Sequence, residues 1–122
     1  MEELKFSLKR KELPIVLEDV SGVEKRFVLR EFSSRDFTTY LSDMGERVKM
    51  HDGKVVGLNS YEGVQTKLIS LCLFDEEGKS VKVSVIDEFP ASVVNALFNG
   101  AQELNGLGEK GEAKVKAESK NG

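Results

Sequence analysis

The alternation of apolar and polar side chains is clearest between residues 12 and 32. Phe27 and Leu29 point to one side of an extended chain, and Val28 with its flanking arginines points to the other, which is the period of a strand. A β-rich run precedes this one, and the Ser-Gly pair at 21–22 between them has turn chemistry. The pattern predicts a β-hairpin.

After Phe32 the apolar period lengthens to that of a helix. Ser33 followed by Asp36 resembles a capping box, so we expect a helix from about Ser34 to about Met50 that ends before His51-Asp52-Gly53. The apolar positions on one face of this helix are Phe37, Tyr40, Leu41, Met44 and Val48.

The middle of the chain predicts a second helix. Residues 54–58 form a connector that can be either a loop or a short strand, and either Asn59 or Ser60 is a suitable N-cap. The helix is expected to end between Leu73 and Asp75. Its apolar face carries Val64, Leu68, Leu71 and Cys72.

The last part of the chain predicts a strand and a third helix. Valines at 81, 83 and 85 alternate with polar residues after the polar turn 75–79, which indicates a strand near 80–86. Pro90 is typical of a first helical turn, and the pattern continues to about Leu104, with Asn105-Gly106 as the expected stop.

This element order predicts an α+β fold, in which a small antiparallel sheet, formed by the N-terminal hairpin and the strand near 80–86, packs against about three helices. We expect residues 1–12 to be an arm or short strand, 13–107 to be a single domain and 108–122 to be a disordered charged tail. Only three small apolar side chains interrupt that last segment. The positions with the strongest expectation of burial are Phe27, Phe37, Leu41, Leu68 and Leu97.

The predicted third helix has an apolar face wider than packing on a sheet requires. We therefore consider two alternatives with equal weight: part of the face binds a partner, or a small domain buries both sides of the helix. The candidate partner-binding residues are Val93, Val94, Leu97, Phe98, Ala101 and Leu104.

Composition excludes several classes of protein. The 122 residues carry 18 basic and 21 acidic side chains, a net charge of −3, which argues against affinity dominated by a phosphate backbone. The sequence has no long apolar run, and its start lacks the apolar segment of a signal peptide, so a cytosolic protein without membrane or nucleic-acid partners is expected.

Candidate catalytic chemistry is sparse. His51 is the only histidine and lies in a polar, turn-like setting, so a solvated loop residue is favoured over a catalytic or pH-sensing one. Cys72, the only cysteine, lies on an apolar stripe and is interpreted as a small buried hydrophobe rather than a nucleophile. Asp75-Glu76-Glu77-Gly78 lacks the spacing of a calcium loop. We predict no enzyme activity, no metal and no cofactor.

The residues resemble those of the tail assembly chaperones of long-tailed bacteriophages, whether siphophages or prophages, over Leu13 to Leu107. The most specific pieces are a Cys-Leu-Phe-Asp stretch before a polar turn, a Phe-Pro-Ala helix start and a Leu-Asn-Gly-Leu helix end. The resemblance rests, in chain order, on Phe27–Phe32, Tyr40-Leu41, Leu68–Asp75, Val85–Ala91 and Ala101–Leu107.

The resemblance implies a non-enzymatic assembly factor with an α+β fold, made in the host cytoplasm and absent from the mature virion. Its expected partners are the tape measure protein, which it shields from aggregation, the tail tube protein, and further copies of itself. The residues around Lys5 to Lys11 and the exposed part of the last helix are candidate contacts between copies.

Two other functions stay open: a virion structural or tail-completion protein, and a small regulatory adaptor of a cellular pathway. Proteins of the resembled family are often also made in a longer, frameshifted form. A run of adenines can encode Lys120-Asn121, so the tail is expected to serve as a linker in such a form.

Overall fold

The computed structural model describes residues 3–58 and 63–107. The predicted tail from Gly108 and the predicted helix caps Asn59 and Ser60 lie outside the described residues. The elements in chain order are β1 (Glu12–Glu18), β2 (Glu24–Arg30), α1 (Ser34–Arg47), β3 (Val48–His51), β4 (Lys54–Leu58), α2 (Val64–Cys72), β5 (Leu73–Asp75), α3 (Val83–Ile86) and α4 (Ala91–Leu104).

The predicted N-terminal hairpin is confirmed. β1 and β2 pair antiparallel, with Leu13 opposite Leu29 and Ile15 opposite Phe27, so the apolar side chains of both strands share one face. The turn between them is organised by Asp19, whose carboxylate oxygen accepts hydrogen bonds from the backbone N–H groups of Ser21 and Val23, each at 2.9 Å.

The third strand of this sheet is not where the sequence pattern places it. β5 pairs antiparallel with β2 and forms the order β1-β2-β5, whereas the predicted strand near 80–86 is wrong because Val83–Ile86 forms α3. Ser80 makes only an isolated bridge to Phe74, and the chain then turns into a helix that buries Ile86 and leaves Val83 and Val85 exposed. Tertiary packing therefore overrides the strand preference of Val83 and Val85.

Helix α1 begins as predicted, with the Ser33 hydroxyl accepting a hydrogen bond from the Asp36 N–H at 3.1 Å. It ends at Arg47 rather than near Met50, because Val48 enters a second hairpin, β3–β4. Asp52 and Gly53 both have positive φ values, 51° and 75°, as the two-residue turn favoured by strand twist requires. The connector at 54–58 is therefore a strand.

Helix α2 ends at Cys72, and the three residues expected to end it form β5 instead. Helix α4 is confirmed with its expected limits and stop. Beyond Asn105, the Leu107 N–H donates to the carbonyl of Gln102 and the Gly106 N–H to that of Glu103, which is a Schellman cap.

The core lies between one face of the three-stranded sheet and the helices α2, α3 and α4. A Cβ on Gly100 of α4 would stand 3.2 Å from the Leu29 side chain, so the helix lies unusually close to β2 at this point. The α+β fold class is thereby confirmed. The buried residues are Leu29, Leu68, Ile69, Cys72, Leu73, Val81, Ile86, Val94, Leu97 and Ala101.

Two of the expected core positions are wrong. Leu68 and Leu97 are buried, and Phe27 packs half-buried against the core, but Phe37 and Leu41 are 40% and 51% exposed. No residue of α1 is fully buried, although Tyr40 packs half-buried against the core. Its apolar face therefore packs against the domain only in part and leaves Phe37 and Leu41 in contact with solvent.

Candidate protein-binding surfaces

His51 and Cys72 are the two side chains considered for catalysis, and their surroundings differ. The His51 imidazole is exposed in the β3–β4 turn, and its Nε2 stands 3.3 Å from a carboxylate oxygen of the equally exposed Asp52. Because water screens such a pair, it contributes little to stability. The expectation of a solvated loop histidine is confirmed.

Cys72 is completely buried in the core. Burial raises the pKa of its thiol to about 12, although a hydrogen bond from the Asn105 amide, 3.5 Å from the sulfur, acts in the opposite direction. A thiol that stays protonated at neutral pH is a poor nucleophile. The interpretation of Cys72 as a packed hydrophobe is confirmed.

The acidic segment after β5 is a turn. The Asp75 carboxylate oxygen accepts hydrogen bonds from the backbone N–H groups of Glu77 at 2.9 Å and Lys79 at 3.0 Å, so this carboxylate organises its own loop. Within residues 3–58 and 63–107, no three histidine, cysteine or acidic side chains are grouped as metal ligands.

The structure divides the predicted partner-binding face of α4 into two groups. Three of its residues are buried against the sheet and α2: Val94, Leu97 and Ala101. These three side chains therefore pack within their own domain. The other three, Val93, Phe98 and Leu104, pack half-buried at the margin of the core and keep part of their surface exposed. Their role in binding stays a prediction.

A different helix presents the larger apolar surface. On α1, Phe37 and Leu41 are one turn apart and both are substantially exposed. Phe32 and Tyr40 flank them: the Phe32 ring centroid is 6.1 Å from that of Phe37 and 5.7 Å from that of Tyr40. We call these four residues the aromatic ridge.

A hydrogen bond to Asn105 and packing against the core fix the position of the aromatic ridge. The Phe32 N–H donates to the Asn105 side-chain oxygen at 2.8 Å, and the Asn105 amide donates to the carbonyl of Ala101 at 2.9 Å. This residue thereby joins the start of α1 to the end of α4. Phe32 and Tyr40 rest half-buried against the core, so the ridge is a fixed surface rather than a loose helix. Burial, helped by the nearby Asp43, raises the pKa of Tyr40 and keeps its phenol neutral.

A second apolar feature is a groove of about 530 Å³ between the tip of the first hairpin and the segment that joins α3 to α4. Phe27, Phe89 and Val93 form its half-buried base, and Val16 and Val85 lie exposed in its walls. We call this feature the hairpin groove. Val93 is the only residue of the predicted α4 face that lines it.

Sequence reasoning missed both surfaces for the same reason. The period of α1 shows that it has an apolar face, but not whether that face meets the core or solvent. One available signal is the composition of α1, since only four of its 14 side chains are apolar, against eight of 14 in α4. The groove combines residues from distant parts of the chain, and no local pattern indicates it.

Comparison of the chain with protein-family models, with curated proteins and with solved structures finds no match. Among the described residues, no helix is both long enough and apolar enough to cross a membrane.

Proposed function

We propose that this protein is a non-enzymatic tail assembly chaperone of a long-tailed bacteriophage, which binds the tape measure protein and helps to recruit tail tube subunits. In this proposal it acts in the host cytoplasm and does not remain in the mature virion. The resemblance of Leu13 to Leu107 to that family supplies the identity of the client. The exposed aromatic ridge supplies the surface.

The observation that carries the proposal is the exposure of Phe37 and Leu41 on a capped, 14-residue helix that buries none of its side chains. A large aromatic and a leucine on a rigid helix are typical anchors for a partner protein, since exposing them alone is unfavourable. Phe32 and Tyr40 extend the same surface toward the core.

The shape of the ridge suits a helical client. The side chains at 37, 40, 41 and 44 follow the spacing of one helix face, and α1 is about 21 Å long at 1.5 Å per residue. A second helix can lay its own apolar stripe along such a row, with side chains of one helix entering the spaces of the other. A long apolar helix offers that stripe repeatedly, so many copies of the chaperone would cover it.

The direct experiment is coexpression of the full chain with a tagged tape measure protein, followed by recovery of the complex. We expect Leu41→Glu to remove this chain from the recovered complex, because the added carboxylate would be buried in the interface. Thr39→Glu is the matched control, since it adds the same charge to the same helix about 160° away from Leu41.

Both positions are exposed, so both variants should fold, with Leu41→Glu losing at most about 1 kcal/mol from the half of that side chain that packs. Equal recovery of wild type, Leu41→Glu and Thr39→Glu would show that the ridge does not bind the client. Recovery of this chain with purified mature particles would instead favour the virion structural alternative.

A further inference from the structure

The N-terminal arm exposes large apolar side chains in an ordered alternation. Leu4, Phe6 and Leu8 are 85%, 81% and 99% exposed, and Lys5, Ser7 and Lys9 occupy the positions between and after them. Residues 3–11 form neither helix nor strand. Placed in an extended conformation, this segment would carry all three apolar side chains on one face and the polar ones on the other. The arm therefore has the side-chain alternation of a strand, although residues 3–11 are not part of a sheet.

A free strand edge lies beside the hairpin groove. In the order β1-β2-β5, β1 pairs with β2 on one side and has no partner among the described residues on the other. The end of β1, from Val16 to Glu18, forms one wall of the groove. An extended segment added to this edge would gain backbone hydrogen bonds and place alternate side chains against the apolar lining.

The charges of the arm and the groove are complementary. Residues 3–11 contain four basic side chains and one acidic one. The groove is lined by three acidic residues, Glu18, Asp19 and Glu88, and one basic residue, Lys25. The hydrogen bond from the Ser21 hydroxyl, 2.6 Å away, lowers the pKa of Asp19 and keeps this carboxylate charged.

The arm of the same chain is poorly placed to fill this groove. Lys11 exchanges hydrogen bonds with Glu31, its N–H reaching the carboxylate at 3.0 Å and its carbonyl accepting the Glu31 N–H at 2.8 Å. The arm therefore leaves the sheet at Glu12, while the groove wall begins four residues further along β1 at Val16, about 13 Å away. A tight reversal at residues 9–11 would need turn residues, but the sequence there is Lys-Arg-Lys.

We propose that the N-terminal arm of one copy docks in the hairpin groove of a second copy, adding a strand to the free edge of β1 and burying Leu4, Phe6 and Leu8 against Phe27, Phe89 and Val93. The basic side chains of the arm then face the acidic rim formed by Glu18, Asp19 and Glu88. This proposal deepens the proposed function, on which its biological role rests, because a chaperone that lines a long client needs contacts between copies. Its test uses the purified chain without any client.

The test is sedimentation velocity of the full chain over a concentration series. We expect the wild type to self-associate and Phe6→Glu to weaken association at least about tenfold, as loss of a buried aromatic anchor does. Ser7→Glu adds the same charge to the polar face of the arm, which faces the acidic rim, so it should weaken association by a smaller factor than Phe6→Glu, which also loses the buried ring. Association should weaken with salt, because the rim and the arm attract each other through partly exposed charges.

A charge exchange identifies the two sides of the contact. The rim variant Glu18→Lys/Glu88→Lys and the arm variant Lys5→Glu/Lys9→Glu should each associate poorly alone, because arm and rim then carry the same charge. Mixing them should restore association, because the basic arm of the rim variant meets the acidic rim of the arm variant and the acidic arm of the arm variant meets the basic rim of the rim variant. All four positions are exposed, so both variants should fold. A wild type that stays monomeric at every concentration would overturn the proposal, as would equal effects of Phe6→Glu and Ser7→Glu or no recovery on mixing. A monomer whose arm resists hydrogen exchange would also overturn it, in favour of docking within one chain.

Discussion

The molecule contains two regions built from amphipathic elements whose apolar faces are covered to different extents. In the core unit, formed by the sheet β1-β2-β5 with α2, α3 and α4, the apolar faces meet one another, and Leu29, Leu68 and Ile86 are completely buried. In the outer unit, formed by α1 and the β3–β4 hairpin, no helical residue is fully buried, and Met50, Val55 and Val56 are exposed along with Phe37 and Leu41 of the aromatic ridge.

The difference shows that an amphipathic pattern specifies a face but not its partner. The faces of the core unit are covered inside the chain, whereas the face of α1 is covered only in part, with Tyr40 against the core and Phe37 and Leu41 exposed. A partner outside the chain would remove the remaining apolar surface from water, which favours association. The outer unit is therefore where we propose that a client binds, while the core unit is the rigid part of the domain.

The largest expected effect separates the two units by stability. Leu68→Ala should lower the free energy of unfolding by about 2–5 kcal/mol, because it leaves a cavity in the core. Leu41→Ala, the same substitution on the ridge, should cost less than about 1 kcal/mol, since half of that side chain is already in water. Urea unfolding measures both values. Equal losses would show that α1 packs as tightly as the core.

The next largest loss of stability is expected when the hydrogen bond between Phe32 and Asn105, which joins the two units, is removed. Asn105→Ala should destabilise the protein by about 1–3 kcal/mol, because the Phe32 N–H loses its acceptor. Hydrogen exchange should accelerate in α1 more than in α4. The matched control is Asn99→Ala, the same change at an exposed position of α4, which should be nearly neutral. Unchanged exchange in α1 would mean that Asn105 does not hold the outer unit in place.

A smaller effect is confined to the start of α1. Ser33→Ala removes the hydroxyl that accepts the Asp36 N–H and should cost about 1 kcal/mol. Amide exchange in the first turn of α1 should become faster while the core unit is unaffected. Ser42→Ala, at an exposed position later in the same helix, is the control. An equal response to both substitutions would argue that the cap is not what fixes this end of the helix.

The smallest effect under native conditions is expected at Cys72. Because the folded thiol has a pKa raised from 9.0 to about 12, the native chain should react only very slowly with iodoacetamide, and the urea-unfolded chain should react rapidly. Because the thiol of the unfolded chain has the lower pKa, it loses its proton first as the pH rises. Between pH 9.0 and about pH 12, Cys72 therefore lowers the free energy of unfolding as the pH increases. In Cys72→Ala the free energy of unfolding should fall less steeply with pH over this range. Rapid alkylation of the folded chain would contradict the buried position of Cys72.

The sequence predicts those parts of the fold that local chemistry controls. The first hairpin, the Ser33 cap and the helix from Ala91 to Leu104 with its glycine stop are all set by residues within a few positions. The third strand could not be located in the same way, because Leu73–Asp75 continues a helical pattern and becomes a strand only by pairing with β2. The Asp52-Gly53 turn was a hairpin signal in the sequence, and it was interpreted only as a helix end.

The candidate surfaces were harder to predict than the fold. The apolar face of α4 was recognisable from its width, yet Val94, Leu97 and Ala101 belong to the core. The helical period equally revealed the face of α1, but the expected burial of Phe37 and Leu41 was wrong, because exposure depends on where the helix docks. Burial is a property of the whole fold, and a single element does not encode it.

The central claim is that the aromatic ridge, rather than the face of α4, binds an apolar helix. Its most direct test is hydrogen exchange of the full chain alone and in complex with a helical segment of the tape measure protein. We predict new protection in α1 around Phe37 and Leu41, with α4 unchanged because its inner face is already buried. Protection centred on Val93, Phe98 and Leu104, with none in α1, would contradict the claim and return the binding site to α4.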